Sequence, residues 1–307
     1  MSNIIYEDKM YNEEVKKEFI EQYGSGTQKT LSRIFKVSYP TEKELGKDLY
    51  EFNREQIRRL LFLYMPTTEY SAKQNISWVS KYIDWSIEEG YFNGINPLEG
   101  ITSEWVNQFV NNKIKKLWTE AEINKIIVAQ KNYQDGVIIS LLFNGVRGNA
   151  NSEIVKLRKS DIDSENNLLH LTDDSGNKRT IKVSLQCIAE CERALRQEQY
   201  DKKGGNASPD IRNQYGELVD NDYVVKSVKT RLEHFEEAEK NVVHRRLTNI
   251  AEFIREPYFT PRNIIYSGML AMAKRLYDES GQFGEKEYEQ IFAHFGETAE
   301  QSKYRLK

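Results

Sequence analysis

Residues 143–163 read FNGVRGNANSEIVKLRKSDID. They close a run, YQDGVIISLLFNG (133–145), that is apolar over nearly its whole surface. Such a run predicts a buried helix. Arg147 stands two residues past its terminal Gly145. An arginine there is a solvated helix end, one half of a structural ion pair, or a clamp for an anion. Its surroundings must decide among the three.

Working outward, EAEINKIIVAQ (120–130) predicts a helix opened by Thr119, with Glu120 and Glu122 in the favourable first turn. Downstream, LLHLTDDSGNKRTIKVS (168–184) places two β-rich runs around Asp-Asp-Ser-Gly-Asn, a hairpin signal and the only sheet expected. DKKGGNASPD (201–210) reads as a flexible loop, after which helices resume to the end. In PYFTPRNIIYSGM (257–269), Thr260 suits an N-cap and Pro261 the first helical position, where its missing N–H has no partner to lose.

The first hundred residues read as all helical. VKKEFIEQY (15–23), KELGKDLYEFNREQIRRLLFLY (43–64) and SAKQNISWVSKYIDWSIEEGYF (71–92) carry apolar residues at spacings of three and four. Ser71 is expected to begin the third of these and Gly90 to end it. GINPLEGI (94–101) then breaks the pattern, and WVNQFVNNKIKKLW (105–118) is a polar, lysine-containing bridge. The expected division is a helical domain over 1–107, a linker over 108–117 and a second domain over 118–307.

Bulk composition narrows the class. Hydrophobic residues are 39% and charged residues 30%, as in a soluble globular protein. No run of 18 apolar residues occurs, so no membrane span is expected. MSNIIYEDKMYNEE is acidic and lacks the apolar segment of a secretory signal. Cys187 and Cys191, four apart in a predicted helix, read as buried thiols rather than as a metal site. The expectation is a cytoplasmic protein without metal or cofactor. Net charge is −3 and the pI about 6.0. Up to residue 112 there are 13 Lys and Arg against 17 Asp and Glu, and beyond it 31 against 30. Neither half is basic, so any nucleic-acid surface must be a local patch with acidic residues kept elsewhere.

Taken in order, these signals resemble the tyrosine recombinases, the phage integrase family. WTEAEINKII (118–127) resembles the opening of their catalytic domain, and 143–163 their first arginine box, a Gly-x-Arg followed by Glu and a Leu-x-x-x-Asp run. The hairpin follows in its place. FTPRNIIYSGM resembles the Thr-Pro-His-x-x-Arg-His helix, and IFAHFGETAEQSKYRLK (291–307) the closing histidine region with its terminal tyrosine. The first hundred residues resemble the core-binding domain, including a Gly-x-x-x-x-x-Asn-Pro ending at Asn96 and Pro97. The resemblance implies a mainly α, two-domain fold that grips duplex DNA from both sides, with a small β-hairpin in the second domain.

The family's chemistry needs a tyrosine nucleophile, two arginines forked onto the scissile phosphate, and a lysine and histidines to manage protons. Carried onto this sequence, those roles fall at Arg147, Lys178, Arg262, Ile265, His294 and Tyr304. The pattern departs in several places. Five residues separate Arg147 from Glu153 where the family has two, and the inserted loop is expected to disturb the clamp. The hairpin register puts Asp174 nearer the lysine position than Lys178. The family histidine becomes Arg262, its second arginine Ile265 and its following histidine Tyr266. Isoleucine donates nothing to a phosphate, and one lost oxyanion donor costs about 3–4 kcal/mol in the barrier.

The expectation is therefore a sequence-specific double-stranded DNA-binding protein that does not cut. It is similar to the integrase-like lysogeny repressors of SP-beta-type prophages, which hold lytic promoters off. Contacts to operator DNA are expected from Gln28, Lys29 and Arg33, from Ser71, Lys73, Gln74 and Lys81, and in the second domain from Arg147, Lys156, Arg158, Lys159, Arg245, Arg246 and Arg262. Gln28 and Gln74 suit adenine edges. The resemblance also implies a homodimer through the C-terminal helix after His294, and a repressor implies an inducing or antirepressor protein that releases it. Two alternatives stand beside this reading. One is an active recombinase with Tyr304 as nucleophile and Arg262 replacing the missing arginine. The other is a protein-interaction module that no longer touches DNA, which the acidic net charge favours.

Overall fold

The computed structural model describes residues 5, 7–111, 114–208, 210, 213–229 and 236–297. The chain is mainly α and divides into two compact units, Met1–Ile114 and Lys115–Lys307. Among the described residues, no helix is long and apolar enough to cross a membrane.

The first unit holds α1 (Glu13–Glu21), α2 (Ser25–Leu45), α3 (Arg54–Leu63), α4 (Glu69–Glu88) and the short α5 (Ser103–Asn107). The stretch 43–64 is not the single helix its periodicity suggests. Helix α2 ends at Leu45, and a separate 3₁₀ turn starts at Asp48, whose N–H donates to the Glu51 carboxylate. A capping box, Asn53 with Gln56, then starts α3. Local cap chemistry thus overrides the apolar spacing. In the same way Thr68, not Ser71, caps α4, and Ser71 is the third helical residue that answers it.

An aromatic core of Phe19, Phe35, Tyr50, Tyr82 and Trp85 surrounds a buried lysine. Lys16 donates to Glu42 at 2.7 Å and Asp48 at 2.8 Å, with all three side chains fully buried. Ser38 and the Leu49 N–H also donate to Glu42, and the Tyr82 hydroxyl donates to Asp48. Two carboxylates share one ammonium, so one proton is favoured in the cluster. Burial pushes the Glu42 carboxyl up to about 7, reinforced by Asp48 and opposed by Lys16. Between the ordinary value of 4.5 and about 7 the folded state binds the extra proton. Stability conferred by this cluster therefore falls as pH rises through that window. Urea unfolding from pH 5 to 8 is expected to show a loss of up to about 3 kcal/mol that Glu42→Gln lacks. Parallel pH profiles for the two proteins would contradict it.

The second unit begins with α6 (Glu120–Val128), whose cap is the expected Thr119–Glu122 pair. Then come the buried α7 (Tyr133–Phe143) and the single-turn α8 (Ser152–Lys156). Strands β1 (Ile162–Asp163), β2 (Leu168–Thr172) and β3 (Lys178–Lys182) form an antiparallel sheet in the order β1-β2-β3. Helix α9 (Leu185–Arg196) follows, carrying Cys187 and Cys191 as buried free thiols. The hairpin is not the only sheet. Strands β4 (Gln199–Asp201) and β5 (Tyr215–Glu217) pair antiparallel, and the paired glycines between them lie in a 3₁₀ turn, Lys202–Gly205. Helices α10 (Asn241–Phe253), α11 (Pro261–Ser280) and α12 (Glu285–Phe295) follow among the described residues.

Helix α11 starts as its sequence predicts, with Thr260 accepting from the Asn263 N–H and Pro261 in the first turn. It packs on α7, and Gly268 makes the approach feasible. A Cβ there would lie 1.9 Å from the Phe143 carbonyl oxygen. The end of α7, where the arginine box begins, is thereby seated against α11.

Candidate nucleic-acid interface

After α7 the chain turns at Gly145, whose φ is +94°. A side chain there would be strained, and its Cβ would crowd the His294 and Phe295 rings at 3.2 Å. Arg147 follows. The five residues between Arg147 and Glu153 close as a loop in which Ala150 and Asn151 both take left-handed backbone, at φ +51° and +67°. Each such residue costs about 1–2 kcal/mol, which the surrounding bonds must offset. Glu153 supplies one of them, accepting from the Arg147 N–H at 2.9 Å. Asn151 Nδ2 also sits 3.1 Å from His244 Nε2.

The hairpin contributes a residue that the motif comparison passed over. Cross-strand partners share a face, and Leu171↔Arg179 and Leu169↔Ile181 face the core, whereas Thr172↔Lys178 and His170↔Thr180 face outward. Arg179, not Lys178, therefore reaches the arginine box. Its Nε and Nη2 each donate to Glu153 at 2.6 Å. Nη2 also donates to the Gly145 carbonyl at 2.7 Å, and Nη1 to the His294 carbonyl at 2.5 Å. One guanidinium thus ties β3, α8, the end of α7 and the end of α12 together. The alternation Arg179, Ile181, Val183 in the sequence carries this signal, since two apolar inward positions put the arginine on the same face.

His294 lies against the same turn. Because a carbonyl can only accept, its Nε2 carries the proton and donates to Asn144 O at 2.9 Å. Burial lowers its pKa despite that bond, so the ring is neutral at pH 7, with Nδ1 as an acceptor. Arg147, Lys178, Arg179, Glu153, Asp173 and Glu297 line one cleft of about 320 Å³. Among the described residues its lining holds three cations and three carboxylates. Arg147 Nη1 stands 3.7 Å from Glu297, and its buried Nε has no acceptor among the described residues.

The other residues expected at family positions are not in this cleft among the described residues. Ile265 is 2% exposed, within the apolar core, and Arg262 is exposed in the first turn of α11. Tyr304 falls outside the described residues. Asp174 does not enter the cleft chemistry, because it bridges Lys156 at 3.1 Å and Lys240 at the start of α10.

Of the expected DNA contacts, Lys29, Gln74, Lys81, Lys159, Arg245 and Arg262 are exposed. Lys73 is exposed but paired with Glu69, and Lys81 lies over the Trp78 ring. Gln28 is half-buried and donates to Tyr23 O. Arg33 is half-buried and donates to Asn75, and Ser71 serves the α4 cap. Arg158 donates to the Tyr223 hydroxyl and stacks over its ring. Lys156 is held by Asp174 and the Asp173 carbonyl. The expectation for Arg246 is corrected. It is 3% exposed and donates to Gln134 and to the Lys226 carbonyl beside Asp135, so it faces the core and not a ligand.

Comparison with known proteins places this geometry. Residues 117–307 match the family described as MrpR, C-terminal catalytic domain, and residues 10–88 match MrpR, N-terminal core-binding domain. The SPbeta prophage-derived protein YopR of Bacillus subtilis (strain 168) is 32% identical over 300 residues, covering 96% of this chain and 91% of the relative. Among solved structures, the Tn1549 transposon integrase in complex with a circular intermediate DNA is similar at a TM-score of 0.50. It is 13% identical, covering 97% of this chain and 95% of that one. A lambda integrase dimer bound to a COC' core site is similar at a TM-score of 0.48 and 13% identity, covering 97% and 96%.

Proposed function

Because the chain belongs to the MrpR family and has the two-domain architecture of a tyrosine recombinase, we propose that it binds specific duplex DNA sites without cutting them, as a transcriptional repressor that maintains prophage lysogeny. The observation that carries this reading is Ile265. At the position of the second clamp arginine stands a hydrocarbon side chain packed into the core. A phosphodiester held by one guanidinium lacks the paired fork that stabilises the transition state. The remaining cleft supports the same reading, since Arg179 commits four of its five N–H donors to protein acceptors and Arg147 already faces Glu297.

Binding needs no scission chemistry. In this reading Lys29, Gln74, Lys81, Lys159, Arg245 and Arg262 offer exposed cationic or amide groups, and affinity comes mainly from phosphates. The prophage origin of the YopR relative and the DNA in the Tn1549 integrase complex favour a duplex partner in the bacterial cytoplasm. Chromatin capture in the native host, followed by a gel shift on the enriched site, tests it. A short motif recurring near promoters is the expected result, and a single crossover-like site would overturn it. A second reading, an active recombinase with Arg262 as the substitute guanidinium, is favoured by the exposure of Arg262 one turn from Ile265.

A further inference from the structure

Among the described residues, the lining of the cleft at Arg147 balances three cations, Arg147, Lys178 and Arg179, with three carboxylates, Glu153, Asp173 and Glu297. The three cations are not equivalent. Arg179 spends four of its five N–H donors on its own chain. Lys178 is exposed on the outer face of the hairpin. Arg147 is the unsettled member. A guanidinium has five N–H donors in a planar fork. Glu297 approaches one end of it at 3.7 Å, an ion-pair distance beyond hydrogen-bond range, and the buried Nε has no acceptor among the described residues. The charge is compensated, yet the fork is unfilled. That mismatch suits an anion that is held in place of another.

The position of Glu297 is set by the end of α12. It is the first residue past Gly296, which caps that helix, and its N–H donates to Phe292 O at 3.0 Å. The same helix end is gripped by Arg179 through the His294 carbonyl. The Glu297 backbone is therefore anchored to that helix end. A phosphate oxygen forked onto Arg147 and the Glu297 carboxylate would be two anions competing for one cation, and like charges so close repel.

We propose that Glu297 is an intramolecular stand-in for a DNA backbone phosphate at Arg147, so that phosphate engagement at this cleft requires Glu297 to leave. The inference rests on the DNA-binding reading above and adds regulation to it. Affinity is held down by a carboxylate on the end of α12, and a change at that helix end changes affinity without touching the base-reading surface.

The test uses the full chain as wild type, Glu297→Gln, Arg147→Gln and the double variant. Two probes are applied: a short duplex lacking the operator, followed by anisotropy across about 50–200 mM salt, and inorganic pyrophosphate, followed by the Arg147 Nε–H resonance. Glu297→Gln is expected to bind the duplex about tenfold more tightly at low salt, the size of one charge-assisted hydrogen bond. Its slope of log affinity on log salt should steepen by about 0.9, one extra phosphate neutralised. Both gains should vanish in the Arg147→Gln background. An equal gain in that background would mean general charge relief and overturns the proposal. Equal duplex binding by wild type and Glu297→Gln also overturns it while leaving DNA binding intact. If no protein binds duplex but pyrophosphate reaches Arg147 better in Glu297→Gln, the DNA reading fails and the Glu297 assignment stands. If neither probe distinguishes the variants, the assignment is wrong.

Discussion

Replacing Arg179 with methionine should destabilise the second unit by about 3 kcal/mol, whereas Lys178→Met should change it by no more than about 0.5 kcal/mol. The two residues are adjacent in sequence and opposite in role. Arg179 donates four hydrogen bonds, two to Glu153 and one each to the carbonyls of Gly145 and His294. Its removal leaves the Glu153 carboxylate, 5% exposed, with the Arg147 N–H as its donor among the described residues. Burying an unpaired carboxylate costs more than the pair contributes, which is why loss of one partner exceeds the worth of the bridge. Methionine keeps the packing volume, so the loss reads out charge and not a cavity. A melting point lower by about 6–12 °C is expected for a unit of this size. Hydrogen exchange should accelerate at the end of α12, where the His294 carbonyl has lost its donor. A variant melting within a degree or two of wild type would contradict the role given to Arg179.

The second large effect is expected at Arg246→Met, about 4 kcal/mol at pH 8. Arg246 lies at the hub of a buried polar network. It donates to the Gln134 carbonyl and side chain and to the Lys226 carbonyl, and its Nε is 3.7 Å from Asp135. Gln134 in turn donates to the Ala194 and Val224 carbonyls and accepts from the Lys226 N–H. Asp135 accepts from Asn132 and Tyr200. Burial raises the Asp135 carboxyl above its usual range, with Arg246 as the main opposing cause. Without Arg246 the main opposition is gone, leaving the bonds from Asn132 and Tyr200, and the folded protein binds a proton there more tightly still. The variant should therefore lose most stability at high pH and recover part of it as pH falls toward 5, because the folded state then holds a proton that the unfolded state does not. Unfolding by urea at pH 5 and pH 8 checks this. A loss of the same size at both values would assign the effect to packing alone.

How far the sequence carried these conclusions depends on which interactions are local. The Thr119 and Thr260 caps, the hairpin and the buried α7 are fixed by neighbours within a few residues, and each formed where expected. The break of 43–64 was equally local but hidden, because apolar spacing persists through the Asp48 and Asn53 caps. Strand β4 and its partner β5 lie fourteen or more residues apart, and two three-residue strands around a glycine pair leave almost no periodic trace. Arg246 was misread because charge was weighed before phase. Val243, Leu247 and Ile250 are buried, and Arg246 falls on their stripe while Arg245 lies off it. Arg179 was overlooked because the motif position pointed to its neighbour, although the two-residue period of the strand already separated them. What no local rule supplied is the meeting of Arg179 with Glu153 and His294, since those partners are 26 and 115 positions away along the chain.

The central claim is that this scaffold holds DNA and leaves it intact. The direct measurement is a trapping reaction between the purified full chain and a duplex carrying the enriched genomic site, nicked so that any cleaved strand end diffuses away. The products are resolved under denaturing conditions. The account predicts a specific complex under native conditions and no covalent protein–DNA species after denaturation. A covalent adduct on Tyr304 that disappears in Tyr304→Phe would contradict it.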